Sequence, residues 1–327
     1  MKKILITGGL GFIGFYLVKK HLKLGHKVIV FDSFFKNKGK IDKEFHKVLI
    51  HKNLELIKID LTKEIKVKSS FKNLDIVYHL AAINGTELFY EIPYKVATDN
   101  LLITINLLKL FEKIRVSKII YSSTSEVYSD GYKLKTVKIP TDEKVPIIFS
   151  QPTDTRYSYG TSKFMCEFLV REFGKKLKIN TIIIRYHNIY GARMGTKHAI
   201  PQITNRILLG EKPLKVYGAD ETRAFCYIDD AVEATYKLGI KKVKNGEIVH
   251  IGNDREEILI KNLVKKILKI LNKKIELKLL KGKSSSVKRR CPNINKLTKI
   301  TNFRPKINLD KGLNKTVNWY LNQKNLS

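Results

Sequence analysis

The stretch ILITGGLGFIG, residues 4–14, decides the fold. An apolar, β-branched run ends at Thr7, and Gly8, Gly11 and Gly14 follow in the spacing G-x-x-G-x-x-G. Beyond them the pattern turns helical over residues 12–24. Strand, glycine turn and helix in that order bring backbone N–H groups to a helix N-terminus, where the helix dipole favours an anion. Glycine is required because a side chain would block the approach of a pyrophosphate. Phe12 and Ile13 lie on the same turn and share its role as candidate cofactor contacts. The second apolar run, KVIVF (27–31), ends in Asp32, which follows Gly14 by 18 residues. An acid there accepts hydrogen bonds from both ribose hydroxyls and repels a 2′-phosphate, so the spacing predicts NAD rather than NADP.

Outward from this turn, short apolar runs alternate with helical patterns. The expected strands are 3–7, 27–31, 54–59, 75–79, 118–123, 180–185 and 247–251, and the expected helices include 12–24, 97–114, 160–177 and 258–272. Most of these runs are apolar throughout, as strands covered on both faces are. Strand alternating with helix predicts an α/β fold, a Rossmann-type doubly wound parallel sheet with right-handed crossovers. After residue 186 the pattern loosens. We expect an NAD-binding domain over 1–185, with a returning segment near 225–255, and a smaller C-terminal substrate lobe over 186–327. Asp60 closes the third strand, where it can line an adenine pocket or cap a helix.

A chain of 327 residues with 43% hydrophobic residues can bury a sizeable core. No apolar run reaches the roughly 20 residues of a membrane span. The basic opening MKKILIT is broken by glycine before a signal peptide could form. The three cysteines, Cys166, Cys226 and Cys291, are far apart, which predicts a cytoplasmic protein without a metal site. The net charge is +33. Its lysines are spread along the whole chain, so they read as surface residues that attract small anions rather than as a nucleic-acid arm.

The segment YSYGTSK (157–163) holds Tyr159 and Lys163 four residues apart, on one face of a helix. Free tyrosine, with a pKa of about 10, is a poor base at neutral pH. A nearby ammonium and a positive nicotinamide ring would lower it, and Tyr159 could then take the proton of a sugar hydroxyl. Thr124, in YSSTSEVYS (121–129), would hydrogen-bond the same oxygen, with Ser122 at the strand end below it.

Several motifs in order now point one way: TGGLGFIG, DIVYHLAA (75–82), the helix with Asn100, SSTSEVY, YSYGTSK, RYHNIYGARM (185–194), TRAFCYIDDAV (222–232) and RRCPNINK (289–296). Over nearly its whole length the chain resembles the extended short-chain dehydrogenase/reductases of the NAD-dependent nucleotide-sugar epimerase/dehydratase family. The resemblance implies a catalytic triad of Thr124, Tyr159 and Lys163. It implies cofactor contacts from Asp32, Asp60, Leu61, Leu80, Ala81, Ala82, Asn100, Ser122, Tyr186 and Asn188. Asn188 and Arg223 match positions that touch the nucleotide diphosphate, and His198 is a candidate for the substrate cavity. A homodimer through the helix bearing Tyr159 and the helix near 97–114 is implied too, and Phe164, Phe168 and Leu169 are compatible with it and equally with core packing. Three positions depart from the usual pattern: Phe15 after the third glycine, Ser129 after VY, and Ala192 in YGAR.

The family oxidises a sugar carbon, usually C4, and then diverges. Ser125 and Glu126 are expected to face the sugar. Glu126 resembles the carboxylate of 4,6-dehydratases and of UDP-glucuronate decarboxylases, and Arg156, three residues before Tyr159, resembles a clamp for a C6 carboxylate. The contexts of Tyr159 and Asn188 resemble those of sugar epimerases. Epimerisation is the first expectation, with dehydration and decarboxylation as alternatives, and simple C4 oxidation or a non-catalytic nucleotide- or RNA-binding role, suggested by the charge, behind them.

Overall fold

Seven parallel strands carry the fold, and their order explains where the site sits. The structure is a computed structural model that describes residues 1–34, 42–85, 87–282 and 287–324. The strands are β1 (Lys3–Thr7), β2 (Lys27–Asp32), β3 (Leu54–Lys58), β4 (Ile76–His79), β5 (Lys118–Thr124), β6 (Asn180–Tyr186) and β7 (Glu247–Ile251). They lie in the order β7-β6-β5-β4-β1-β2-β3. The chain leaves β1 toward β2 and returns to its other side with β4, so a crevice opens at their carboxyl ends, the usual ligand position in such sheets. The central strands are buried on both faces, as their apolar runs require; only the edge strand β3 has an exposed pattern.

Four helices position the chemistry. α1 (Phe12–Lys23) begins at the glycine turn and packs against α4 (Ile228–Ile240); α2 (Pro93–Phe111) packs against α3 (Tyr157–Leu177). Two apolar cores result, one on each face of the sheet. α2 starts earlier than the apolar periodicity indicates because Pro93 occupies its first turn, where its fixed φ is already helical. α3 also starts early, at Tyr157, which places Tyr159 in its first turn.

β7 lies beside β6, with Glu247 opposite Ile182 and Ile251 opposite Tyr186. Beyond the sheet, Leu214–Tyr217 pairs with Leu277–Leu280, and Thr222–Ala224 is flanked by Glu257–Leu259 and Arg289–Arg290. In that last pairing Arg223 and Arg290 are direct neighbours. Among the described residues, no helix is long and apolar enough to cross a membrane.

Candidate active site

One cleft of about 2150 Å³ runs over the carboxyl ends of the strands and down into the smaller lobe. Its volume exceeds the ~300–1,000 Å³ of a single small-ligand pocket. Gly8, Gly11, Phe12, Ile13, Gly14, Asp32, Asp60, Leu61, Leu80, Ala81 and Ala82 line one end. Gly8 has φ +67°, and a Cβ there would sit 2.9 Å from the Ala81 backbone. A Cβ on Gly14 would lie 2.1 Å from the Gly8 carbonyl. At Gly11 a Cβ would meet, among the described residues beyond its chain neighbours, only the Gly8 carbonyl, at 3.2 Å, so the turn is open on its outer side. No side chain caps the first turn of α1, and no acid stands in it. These features fit a pyrophosphate. Asp32 accepts from the backbone N–H groups of Leu10 (3.0 Å) and Phe34 (2.8 Å), and a carboxylate keeps further lone pairs for ribose hydroxyls.

Two expected cofactor residues have additional tasks. Asp60 Oδ1 accepts from Thr62 N (3.0 Å) and Thr62 Oγ1 (2.7 Å), and that bond holds its carboxyl below the usual range. Asn100 is buried under the cleft, not along it. Its Oδ1 accepts from Ile83 N (2.7 Å), so it fixes the segment after Ala82 from below.

Thr124 ends β5 and caps a short turn, accepting from Glu126 N at 3.2 Å. Its side chain also lies close enough to the Tyr159 hydroxyl to favour the phenolate. Burial, and then the Glu126 charge, pushes the Tyr159 phenol well above its ordinary range. Lys163 does not lower it as the spacing predicts. Its ammonium lies 4.3 Å from the centre of the Tyr121 ring, and burial pushes it down to about 8. In the protein alone, Lys163 therefore does not offset the burial and the Glu126 charge that disfavour tyrosinate. Behind these residues Ser123 donates to Glu167, which pairs with buried Arg185 at 2.6 Å. Tyr128 receives a hydrogen bond from Arg185 and contacts His250 Nε2 at 2.8 Å.

Glu126 and Ser125 line the cleft, and Glu126 is held from three sides. Arg290 Nη1 donates to Oε1 at 2.6 Å, Arg156 Nη2 to Oε2 at 3.1 Å, and Ser129 Oγ to Oε2 at 2.8 Å. Burial alone would raise this carboxyl, but Arg290 and Arg156 hold it well below the usual carboxylate range. Ser129 thus has a task that glycine could not perform. Arg290 is 4% exposed, and its Nε and Nη2 have no hydrogen-bond partner among the described residues. Sequence reasoning noted the RRCPNINK motif without assigning Arg290. No local signal ties it to Glu126, since sheet pairing alone brings them together.

Arg223 pairs with Glu221 at 2.7 Å. Asp230 accepts from the backbone of Lys306 (3.0 Å) and Ile307 (2.8 Å). Burial, and then neighbouring Arg290, pushes Arg223 down to about 10. Arg156, Tyr186, Asn188, His198, Arg223 and Arg290 line the cleft, as do Ser122 and Tyr159. Asn188 has φ +43°, and its Nδ2 donates to Ala224 O at 3.1 Å. Phe15 stacks on Phe45 at 5.2 Å and carries the Arg193 guanidinium at 4.4 Å. Ala192 accepts from the Tyr16 hydroxyl at 3.2 Å through its backbone.

Known proteins resemble this chain. The NAD dependent epimerase/dehydratase family pattern matches residues 4–252. A UDP-N-acetyl-alpha-D-glucosaminuronate decarboxylase of Bacillus cytotoxicus is 32% identical over 98% of this chain and 98% of its own. UDP-glucuronic acid decarboxylase 1 of Xenopus tropicalis is 29% identical over 98% of this chain and 72% of its own. The crystal structure of UDP-glucuronic acid 4-epimerase from Bacillus cereus, with UDP-glucuronic acid and NAD, superposes with a TM-score of 0.85. It is 27% identical and covers 98% of this chain and 99% of that one. With its glycine turn, its Tyr159/Lys163 helix and this match, the chain belongs to the NAD-dependent epimerase/dehydratase family of nucleotide-sugar enzymes.

Proposed function

We propose that this protein is an NAD-dependent decarboxylase of a UDP-linked uronate. The observation that carries the reading is the cluster of Arg156, Arg290 and Ser129 around Glu126. Three buried or half-buried arginines, Arg156, Arg223 and Arg290, meet where the cleft enters the smaller lobe, and an anionic substrate offsets their mutual repulsion. Arg156 and Arg290 both line the cleft beside Glu126, where their guanidiniums can share their charge with a second carboxylate.

In this reading Tyr159 takes the proton of the C4 hydroxyl while Thr124 holds the same oxygen. NAD, when bound, accepts hydride from C4 and can return it. The C4 ketone lies β to the C6 carboxylate. The C5–C6 bond breaks, its electron pair moves into the C4 carbonyl, carbon dioxide leaves, and C5 takes up a proton. Glu126 orients the two guanidiniums that hold the carboxylate. Residues 1–185 and the returning segment near 225–255 hold NAD, and most of 186–327 receives the nucleotide sugar. Two copies pair through α2 and α3, where Phe164 and Phe168 are exposed. Leu169, which packs into a core, takes no part in that surface. Sedimentation at the mass of one chain would rule the pairing out.

Epimerisation at C4, the first expectation from the sequence, remains the second reading. It is favoured by the likeness to the Bacillus cereus 4-epimerase. Incubation with NAD and either UDP-glucuronate or UDP-N-acetylglucosaminuronate separates the two. Decarboxylation gives a product lighter by one carbon dioxide; an unchanged mass with a new C4 resonance would establish epimerisation instead, and loss of water dehydration. Glu126→Gln should cut carbon dioxide release by roughly 10²-fold, the size of effect expected when a positioned group is lost. Oxidation at C4 should persist, seen as reduced-nicotinamide absorbance without product.

A further inference from the structure

We propose that Phe89 is a positioning residue for Tyr159, holding the tyrosine ring flat and screening it from water. The two rings stack with centroids 4.7 Å apart and planes 11° from parallel. Phe89 is 4% exposed and Tyr159 7%. With Ile83 and Val96 they form a small apolar cluster, separate from the two cores that flank the sheet. Phe89 and Tyr159 therefore belong to one small cluster rather than to a larger core.

The stack has a reason. Tyr159 stands in the first turn of α3, where helices fray. On the helix side, a Cβ at Gly160 would meet the Glu126 carbonyl at 3.1 Å, so the turn is pressed against the Glu126 backbone. Phe89 closes the remaining side. Its segment, Leu88–Glu91, is held by Phe89 N–H donating to Gly85 O at 3.3 Å and by Lys197, which reaches Glu87 at 2.5 Å across the cleft. The titratable groups on the elements packed around Tyr159 are Glu126, Tyr121 on β5, Lys163 on α3, and Tyr90 and Glu91 on the Leu88–Glu91 segment. Among them, Glu126 acts directly on the phenol.

The inference rests on Tyr159 as the proton acceptor, so its test includes a readout that needs no sugar. Tyrosines are replaced biosynthetically by fluorotyrosine, which ionises at lower pH, and the resonance of residue 159 is identified by its loss in Tyr159→Phe. In the NAD-loaded protein, Phe89→Ala should move the ionisation midpoint of that resonance down, because less burial opposes the charge. In a single turnover, the rise of reduced-nicotinamide absorbance should slow about tenfold with KM within twofold, while Phe89→Tyr stays near the native rate. An unmoved midpoint overturns the proposal; so does a loss confined to KM, or a Phe89→Tyr protein as slow as Phe89→Ala. Where Phe89→Ala melts too low for study, Phe89→Leu replaces it, and a native rate in that variant is likewise fatal. If no nucleotide sugar is oxidised, the proposed function fails, and the titration still decides the role of Phe89.

Discussion

Tyr159→Phe should lower turnover by roughly 10²–10⁴-fold, the usual contribution of a positioned acid–base group. The substitution removes one oxygen and keeps the ring that stacks on Phe89, so the local packing survives. NAD binding and the KM for the nucleotide sugar should change little, because the hydroxyl's near neighbour is Thr124 rather than a packing contact. In the protein alone the phenol is disfavoured as an anion, by burial and by Glu126. The positive charge of bound NAD and the Lys163 ammonium must offset both. Steady-state kinetics with a parallel NAD titration checks this. A Tyr159→Phe enzyme at the native rate would remove Tyr159 from the mechanism.

Gly14→Ala should be nearly as damaging, by a different route. The added methyl would lie 2.1 Å from the Gly8 carbonyl and 2.8 Å from the Gly9 Cα. Both neighbours are backbone, so relief requires α1 to move away from the turn. That displaces the N–H groups that face the pyrophosphate, and it shifts Phe15 off Phe45. We expect at least a 10²-fold loss in NAD affinity, about 3 kcal/mol, and destabilisation at the upper end of the ~1–3 kcal/mol typical of overpacking. Calorimetric titration with NAD and a thermal melt would measure each; native affinity would show that the turn does not hold the dinucleotide.

How much of this was legible beforehand depends on distance along the chain. The seven strands, the glycine turn and the Tyr159–Lys163 pair are local patterns, set by apolar runs, by glycine and by helical spacing. The surroundings of Glu126 are not local. Arg290 reaches it from the other lobe because Arg289–Arg290 pairs with Thr222–Ala224, and no periodicity encodes that pairing. Ser129 is near enough to see, yet its departure from glycine carries meaning only once Glu126 is known to need a donor. Lys163 shows the converse. Spacing correctly puts it on the face of Tyr159, but rotamers, which spacing does not encode, aim it at Tyr121. Phe89 gave no sign at all, because an apolar residue in a short loop-borne helix reads as ordinary packing.

The position of β7 bears on how the protein is made. While the ribosome is still between residues 186 and 247, six strands can assemble, but β6 shows an unpaired edge. Such an edge is a template for wrong partners, including another nascent copy. The segment that covers it arrives only after much of the smaller lobe has emerged. The two lobes therefore cannot be synthesised, exchanged or trimmed as independent modules. A chain terminated just after Tyr186 would carry the full glycine turn and Tyr159, yet we expect it to aggregate through the uncovered β6 edge.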